Sequence, residues 1–143
     1  SPHPFHAKQA LLAISHGKHV LVEKAFAMNA RQAQTVLDAA SARGVIALEA
    51  MWVRYLPYIA VIQNWLAEGH IGRVRAVSAD RSTILSTDPT HRVRAIELGG
   101  GAILDVAVYP FAFVQGLLGA PIALPQRSSR RSRVPPSAPR RKP

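Results

Sequence analysis

Apolar residues recur along the first third of the chain in a helical period, then in short runs suited to strands. Ala7, Ala10, Leu11 and Ile14 fall at i, i+3, i+4 and i+7, one face of a helix, and Gly17 supplies its stop. His19-Val20-Leu21-Val22 is a short β-branched run of the buried-strand type. Asn29 reads as an N-cap, with Gln32 three residues on as in a capping box. Ala33, Val36, Leu37 and Ala40 continue that helix, and Gly44 ends it. Val45-Ile46-Ala47-Leu48 is a second strand. Strand, helix and strand with short connections form a βαβ unit, which implies a parallel sheet with a right-handed crossover. Residues 1–50 therefore read as α/β.

Residues 51–125 are more mixed. Pro57 suits the first turn of a helix whose apolar face is Ile59, Ile62 and Leu66, and Gly69 closes it. Arg73-Val74-Arg75-Ala76 alternates polar and apolar, which predicts a strand over about 73–81 with one wet face. Residues 82–98 have no period and read as loop. Gly99-Gly100-Gly101 opens an apolar segment, 102–118, long enough for a helix that Pro110 should kink. The glycine triplet does not read as a phosphate loop, because no Lys-Ser/Thr follows at the required spacing; a close-packed helix entry suits it better.

Composition narrows the classes. The chain has 143 residues and no cysteine, so a disulfide scaffold and a Cys-ligated metal site are excluded. Its 48% hydrophobic content is that of a globular protein. No signal peptide opens the sequence, and no uninterrupted apolar run approaches the ~20 residues of a membrane span, so a cytoplasmic location and no membrane partner are expected. The net charge of +10 would ordinarily suggest nucleic acid. Its placement argues otherwise. Arg127, Arg130, Arg131, Arg133, Arg140, Arg141 and Lys142 lie in residues 126–143, a Pro/Ser-rich tail without acid that is expected to be disordered. The remainder is only mildly basic and has no basic stripe, so nucleic-acid binding ranks last among the readings.

In an open parallel sheet, ligands bind beyond the carboxyl ends of the strands. Glu23 and Lys24 stand at that end of the first strand, Glu49 at that end of the second, with Met51, Trp52 and Arg54 following. Glu23 and Lys24 are either solvated loop charges or a pair in which the lysine donates a proton or polarises an oxygen. Asp105 and Tyr109 are four apart on one helical face: either a helix-start carboxylate and a half-buried phenol, or a proton-handling pair. His3 and His6 could share a ligand, but no further residue has metal-site spacing, so no metal is expected. Trp52, Tyr55, Tyr58 and Trp65 are spaced for helix packing rather than for stacking bases.

Several ordered segments resemble the glucose–fructose oxidoreductase, inositol dehydrogenase and MocA family of NAD(P)-dependent oxidoreductases. They are Pro2-His3-Pro4-Phe5-His6, Gly17 to Lys24, Glu49 to Pro57, Gly72-Arg73-Val74, and Leu98 to Asp105. The Met-Trp-x-Arg and Gly-Gly-Gly segments look most like the dihydrodiol dehydrogenase and glucose–fructose oxidoreductase branch. The resemblance implies a sheet of Rossmann type, of which residues 1–50 would be the C-terminal part. Residues 51–125 would begin an α+β substrate domain. It implies NADP or NAD as cofactor, and a carbohydrate, polyol or diol as substrate. For full-length relatives it implies a homo-oligomer. By the same resemblance Lys24 assists proton transfer at the carbon exchanging hydride, and Glu23 faces the cofactor ribose. Tyr109 is the acid/base with Asp105 its neighbour, and Trp52 and Arg54 line the nicotinamide and substrate pocket.

The sequence departs from the family pattern at Ala25, where the motif has proline, and at Ala107, where it has glycine. Between Ser1 and Pro143 there is no Gly-x-Gly-x-x-Gly turn at a helix start, the element that anchors the pyrophosphate. The expectation is a fragment entering near the fourth strand, inactive by itself, whose tail has the composition of a shifted reading frame. The alternative is a non-enzymatic binding module that keeps part of the fold.

Overall fold

Helix α1 (His3–Ser15) starts with Pro2 as its cap and buries His3, His6, Ala7, Ala10 and Ile14. Ala7, Ala10 and Ile14 are stripe positions the sequence sets out, Leu11 of that stripe is half-buried, and His3 and His6 extend the buried face toward the helix start. Gly17 takes a φ of +70°, which lets the chain turn out of the helix into strand β1 (Val20–Val22). Helix α2 (Ala30–Arg43) ends in a left-handed Gly44, and strand β2 (Ala47–Glu49) follows. The computed structural model describes residues 1–119.

The two strands pair in parallel, Val20 with Ala47, Leu21 with Leu48 and Val22 with Glu49. The expected α/β arrangement with a parallel sheet is therefore present. The second strand lies a residue or two later than its sequence run. Ala7, Ala10, Ile14, Val22, Ala27, Val36 and Ala40 form the core, with Ile14 and Val36 fully buried. Three of these residues lie in α1, two lie in α2, and four of the five are alanine or valine, so the two helices pack closely over one face of the sheet. The other face is open: Leu21, Ile46 and Leu48 are exposed.

The capping box at α2 forms with one change. Asn29 Oδ1 accepts from the Gln32 backbone N–H at 3.0 Å, while Gln32 Oε1 accepts from Met28 N–H, one residue before the cap. Asn29→Ala is expected to lower stability by about 1 kcal/mol in urea unfolding. Asn29→Asp should retain most of it, because the carboxylate keeps the acceptor.

A 3-10 turn (Trp52–Tyr55) leads into helix α3 (Pro57–Ala67), which has Pro57 at its first turn and buries Ile59. The strand expected at 73–81 is not formed: residues 74–88 have no regular structure. Alternation alone does not make a strand. The backbone groups need a ladder partner, and the only sheet among the described residues is β1–β2.

A second 3-10 turn (Ile96–Leu98) ends at Gly99, and the last helix begins with a π-helical stretch (Ile103–Ala107) that continues as α4 (Val108–Leu118). Pro110, where a kink is expected, lies in α4 just after this π segment and has no N–H to give to the preceding turn. Within the π segment the Asp105 carbonyl accepts from Lys24 Nζ.

By length and composition Ile96–Leu118, 23 residues of mean hydropathy 1.6, is long and apolar enough to cross a membrane. It carries Glu97 and Asp105, so it is not an uninterrupted apolar run. The segment is also interrupted at Gly99–Gly101, and Asp105 near its middle is ion-paired to the end of β1. The glycine triplet acts as the close-packed entry the sequence suggests. A Cβ on Gly100 would lie 2.6 Å from the Arg94 carbonyl carbon, and Gly99 takes a φ of +73° against Met28. The basic tail, 126–143, lies outside the described residues.

Candidate active site at the carboxyl end of the sheet

Lys24 follows β1 by two residues and reaches across to the π segment. Its Nζ donates to Asp105 Oδ1 at 2.9 Å and to the Asp105 carbonyl, with both side chains nearly buried. Arg92 Nη1 lies 3.6 Å from the same carboxylate oxygen. Burial alone would raise the Asp105 pKa. The Lys24 hydrogen bond and charge, followed by Arg92 and His3, outweigh it and hold the carboxyl below its ordinary value. The peptide bond between Lys24 and Ala25 is cis.

Tyr109 is the next element of the cluster. Lys24 Nζ stands 5.0 Å from its ring centroid and the Arg81 guanidinium 4.3 Å, so two cations flank one aromatic ring. The Trp52 ring meets Tyr109 edge-on at 5.8 Å, and the indole N–H points at the phenolic oxygen at 3.4 Å. Thus Lys24, Trp52 and the Asp105–Tyr109 pair, from three separate stretches of sequence, come together at the carboxyl end of β1.

Arg54 does not join them. Its guanidinium donates to Gln115 Oε1 at 2.6 Å and lines a separate crevice with Ile59 and Ala112, tying the 3-10 turn to α4. Glu23 is exposed and lines a recess of about 330 Å³ with Lys24, His3, His6 and Arg92. Glu49 is occupied in holding the β1–α2 connection, where its Oε1 accepts from Phe26 N–H at 2.9 Å.

His3 and His6 sit edge-to-face, 5.6 Å between rings. His3 Nδ1 lies 3.1 Å from the Gly99 carbonyl, and His6 lies 2.8 Å from Ala25 O and 2.9 Å from Ser1 O. Their ring nitrogens therefore hold loops in place. Among the described residues no group of three His, Asp or Glu side chains could hold a metal ion. Arg81 and Arg92 were not singled out from sequence. Arg81 closes the stretch read as a strand and Arg92 lies in the stretch without period, and only their approach to Tyr109 and Asp105 marks them.

Comparison with known proteins bears on this geometry. Residues 1–51 match a family model described as an oxidoreductase family, NAD-binding Rossmann fold. Residues 59–135 match the GFO/IDH/MocA C-terminal domain, more than half of the chain. The chain belongs to the GFO/IDH/MocA oxidoreductase family. The match extends past residue 126, into the region expected to be tail.

D-xylose 1-dehydrogenase (NADP(+)) of Hypocrea jecorina is 37% identical over 80% of this chain and 31% of its own length. Trans-1,2-dihydrobenzene-1,2-diol dehydrogenase of Xenopus laevis is 38% identical over 78% of this chain and 33% of its own. A levoglucosan dehydrogenase solved with NADH and levoglucosan superposes with a TM-score of 0.67 at 26% identity, covering 83% of this chain and 33% of that one. The chain thus spans about a third of the length of the relatives it matches.

NAD or NADP is the cofactor class of this family, and the donor set suits its nicotinamide end. Trp52 offers a half-exposed flat apolar face, Glu23 an exposed carboxylate able to accept from ribose hydroxyls, and Lys24 a positioned cation.

Proposed function

We propose that this chain carries the hydride-transfer end of an NAD(P)-dependent dehydrogenase acting on a sugar, polyol or diol. The observation that carries the reading is the Lys24–Asp105 pair at 2.9 Å with Tyr109 packed against it, at the end of a parallel sheet where ligands bind.

In this reading residues 1–50 belong to the dinucleotide-binding domain and 51–125 begin the substrate domain. Glu23 and Trp52 would hold the ribose and the nicotinamide, and the bound dinucleotide supplies the hydride acceptor. Asp105 fixes Lys24 by two hydrogen bonds, so the ammonium can donate to the substrate oxygen where charge develops. Tyr109 carries the proton between that oxygen and solvent. Arg54 is assigned a supporting role only, because it is bonded to Gln115.

A polypeptide of these 143 residues contains no Gly-x-Gly-x-x-Gly turn. Its expected affinity for a dinucleotide is weak, with Kd ~1 mM or above. The test is a titration with reduced nicotinamide mononucleotide followed by NMR. The expected result is selective shifts of the Trp52 indole, the Tyr109 ring and the Lys24 ammonium. Shifts confined to residues outside this cluster would overturn the assignment. Turnover of D-xylose or a trans-diol with NADP⁺ that vanishes in Lys24→Ala would overturn only the expected inactivity, and would leave Lys24 in its role.

A further inference from the structure

We infer that Arg81 makes this cleft selective for a polyol bearing an anionic group, a carboxylate or a phosphate. The inference rests on the dehydrogenase reading for the polyol and on independent geometry for the charge. Arg81 belongs to the segment without regular structure, yet its guanidinium carbon lies 4.3 Å from the Tyr109 ring centroid. A guanidinium held over a ring by this contact commits no N–H to a carboxylate, so its N–H groups are available for a planar oxyanion.

The other cations of the cluster are already engaged. Lys24 is bonded to Asp105, and Arg92 stands 3.6 Å from the same carboxylate. Among the described residues Arg81 has no carboxylate within ion-pair distance. Asp80 is the one acid beside it, and it accepts from the Ser82 hydroxyl at 3.0 Å. Lys24, Arg81 and Arg92 stand against Glu23, Asp80 and Asp105, so the cluster is balanced in formal charge, and the cation in it without an ion-pair partner among the described residues is Arg81.

The space in front of Arg81 suits such a ligand. Arg81, Asp80, Ser78, Tyr58, Tyr109 and Phe113 help to line a recess of about 370 Å³. Aromatic faces can cover the apolar side of a sugar ring, while Ser78 and Asp80 meet hydroxyls. A neutral polyol would leave the Arg81 fork facing water, whereas a sugar acid or sugar phosphate would fill it.

The test uses the full 143-residue chain and three probes in NMR titrations: D-gluconate, D-glucitol 6-phosphate and neutral D-glucitol. Both anions are expected to bind about tenfold more tightly than D-glucitol, since hydrogen bonds between charged partners are roughly twice as strong as neutral ones. They should shift the Arg81 guanidinium and Tyr109 ring resonances together, and the preference should weaken several-fold in ~0.5 M NaCl. Arg81→Leu should abolish the preference with the rest of the spectrum unchanged, and Arg81→Lys should restore part of it. Comparing the two anions shows which group the fork accepts better.

Equal affinity for D-glucitol and the anions, no binding of any probe, or a preference that survives Arg81→Leu would overturn the inference. If the anions bind through Arg81 while reduced nicotinamide mononucleotide leaves Trp52, Tyr109 and Lys24 unshifted, the dehydrogenase reading falls and the anion site stands. If the nucleotide shifts that cluster and the anions show no advantage, the reverse holds.

Discussion

Gly100→Ala is expected to lower the stability of the chain by about 3 kcal/mol, the range for forcing atoms into filled space. The added methyl would sit 2.6 Å from the Arg94 carbonyl carbon and 2.7 and 2.9 Å from the Ala95 oxygen and nitrogen. All three are backbone atoms, so no side chain can swing away. Gly100 N–H also donates to Ala95 O at 2.9 Å, so the displacement would break the turn itself. That turn delivers the π segment carrying Asp105, and loss of the Lys24 contact should accompany loss of stability. Gly101→Ala is the control. A Cβ there meets nothing within 4 Å, but φ is +117°, so only backbone strain of about 1–2 kcal/mol is expected. Urea unfolding of the two variants, with the Lys24 ammonium resonance as a local probe, checks the order. Equal stability of Gly100→Ala and the parent chain would show that the loop packs otherwise.

Lys24→Met is expected to destabilise by about 2 kcal/mol, below the 3–5 kcal/mol of a fully buried broken pair because Arg92 can move toward the orphaned carboxylate. Arg92→Met should change stability by less than about 0.5 kcal/mol, since it is half exposed and more distant. The double replacement Lys24→Met with Asp105→Leu should recover most of the loss, because no unpaired buried charge remains.

The pH dependence has a definite sign. Burial opposes ionisation of Asp105, but Lys24 foremost, then Arg92 and His3, bring its folded pKa below the ordinary value near ~3.9. A group whose pKa is depressed by folding contributes stability above its unfolded pKa. That contribution is lost as pH falls through the lower folded value. The parent chain should therefore lose stability faster than the Lys24→Met variant below about pH 4. A variant that matched the parent at every pH would mean the pair contributes nothing to folding.

Local order in the first fifty residues was legible because it depends on neighbours in sequence. The stripe Ala7, Ala10, Leu11 and Ile14, the Asn29–Gln32 box and the stop glycines each act within a turn or two, and each is found where its pattern lies. The site was legible in part. Lys24, Asp105 and Tyr109 stand out as polar residues at a strand end and on an apolar helix, and resemblance named them together with Trp52 and Arg54. Their contact depends on a separation of 81 residues between Lys24 and Asp105, which no local pattern encodes.

The misses have the same physical source. Residues 73–81 alternate like a strand, but a strand exists only with a partner, and the described residues provide none. Pro110 announced an irregularity in its helix, but the π segment stands just before it, where the Asp105 carbonyl meets Lys24 across the chain. Arg54 has the right sequence neighbourhood for the pocket, yet Gln115 on α4 draws it to the other side. No local pattern marks Arg81 or Arg92 as site residues, and only the fold brings them to Tyr109 and Asp105. Helices, caps and strand runs follow from interactions a few residues long, and sequence alone determined them. The charge around Tyr109 is a sum over side chains brought together across the chain, and only tertiary packing decided it.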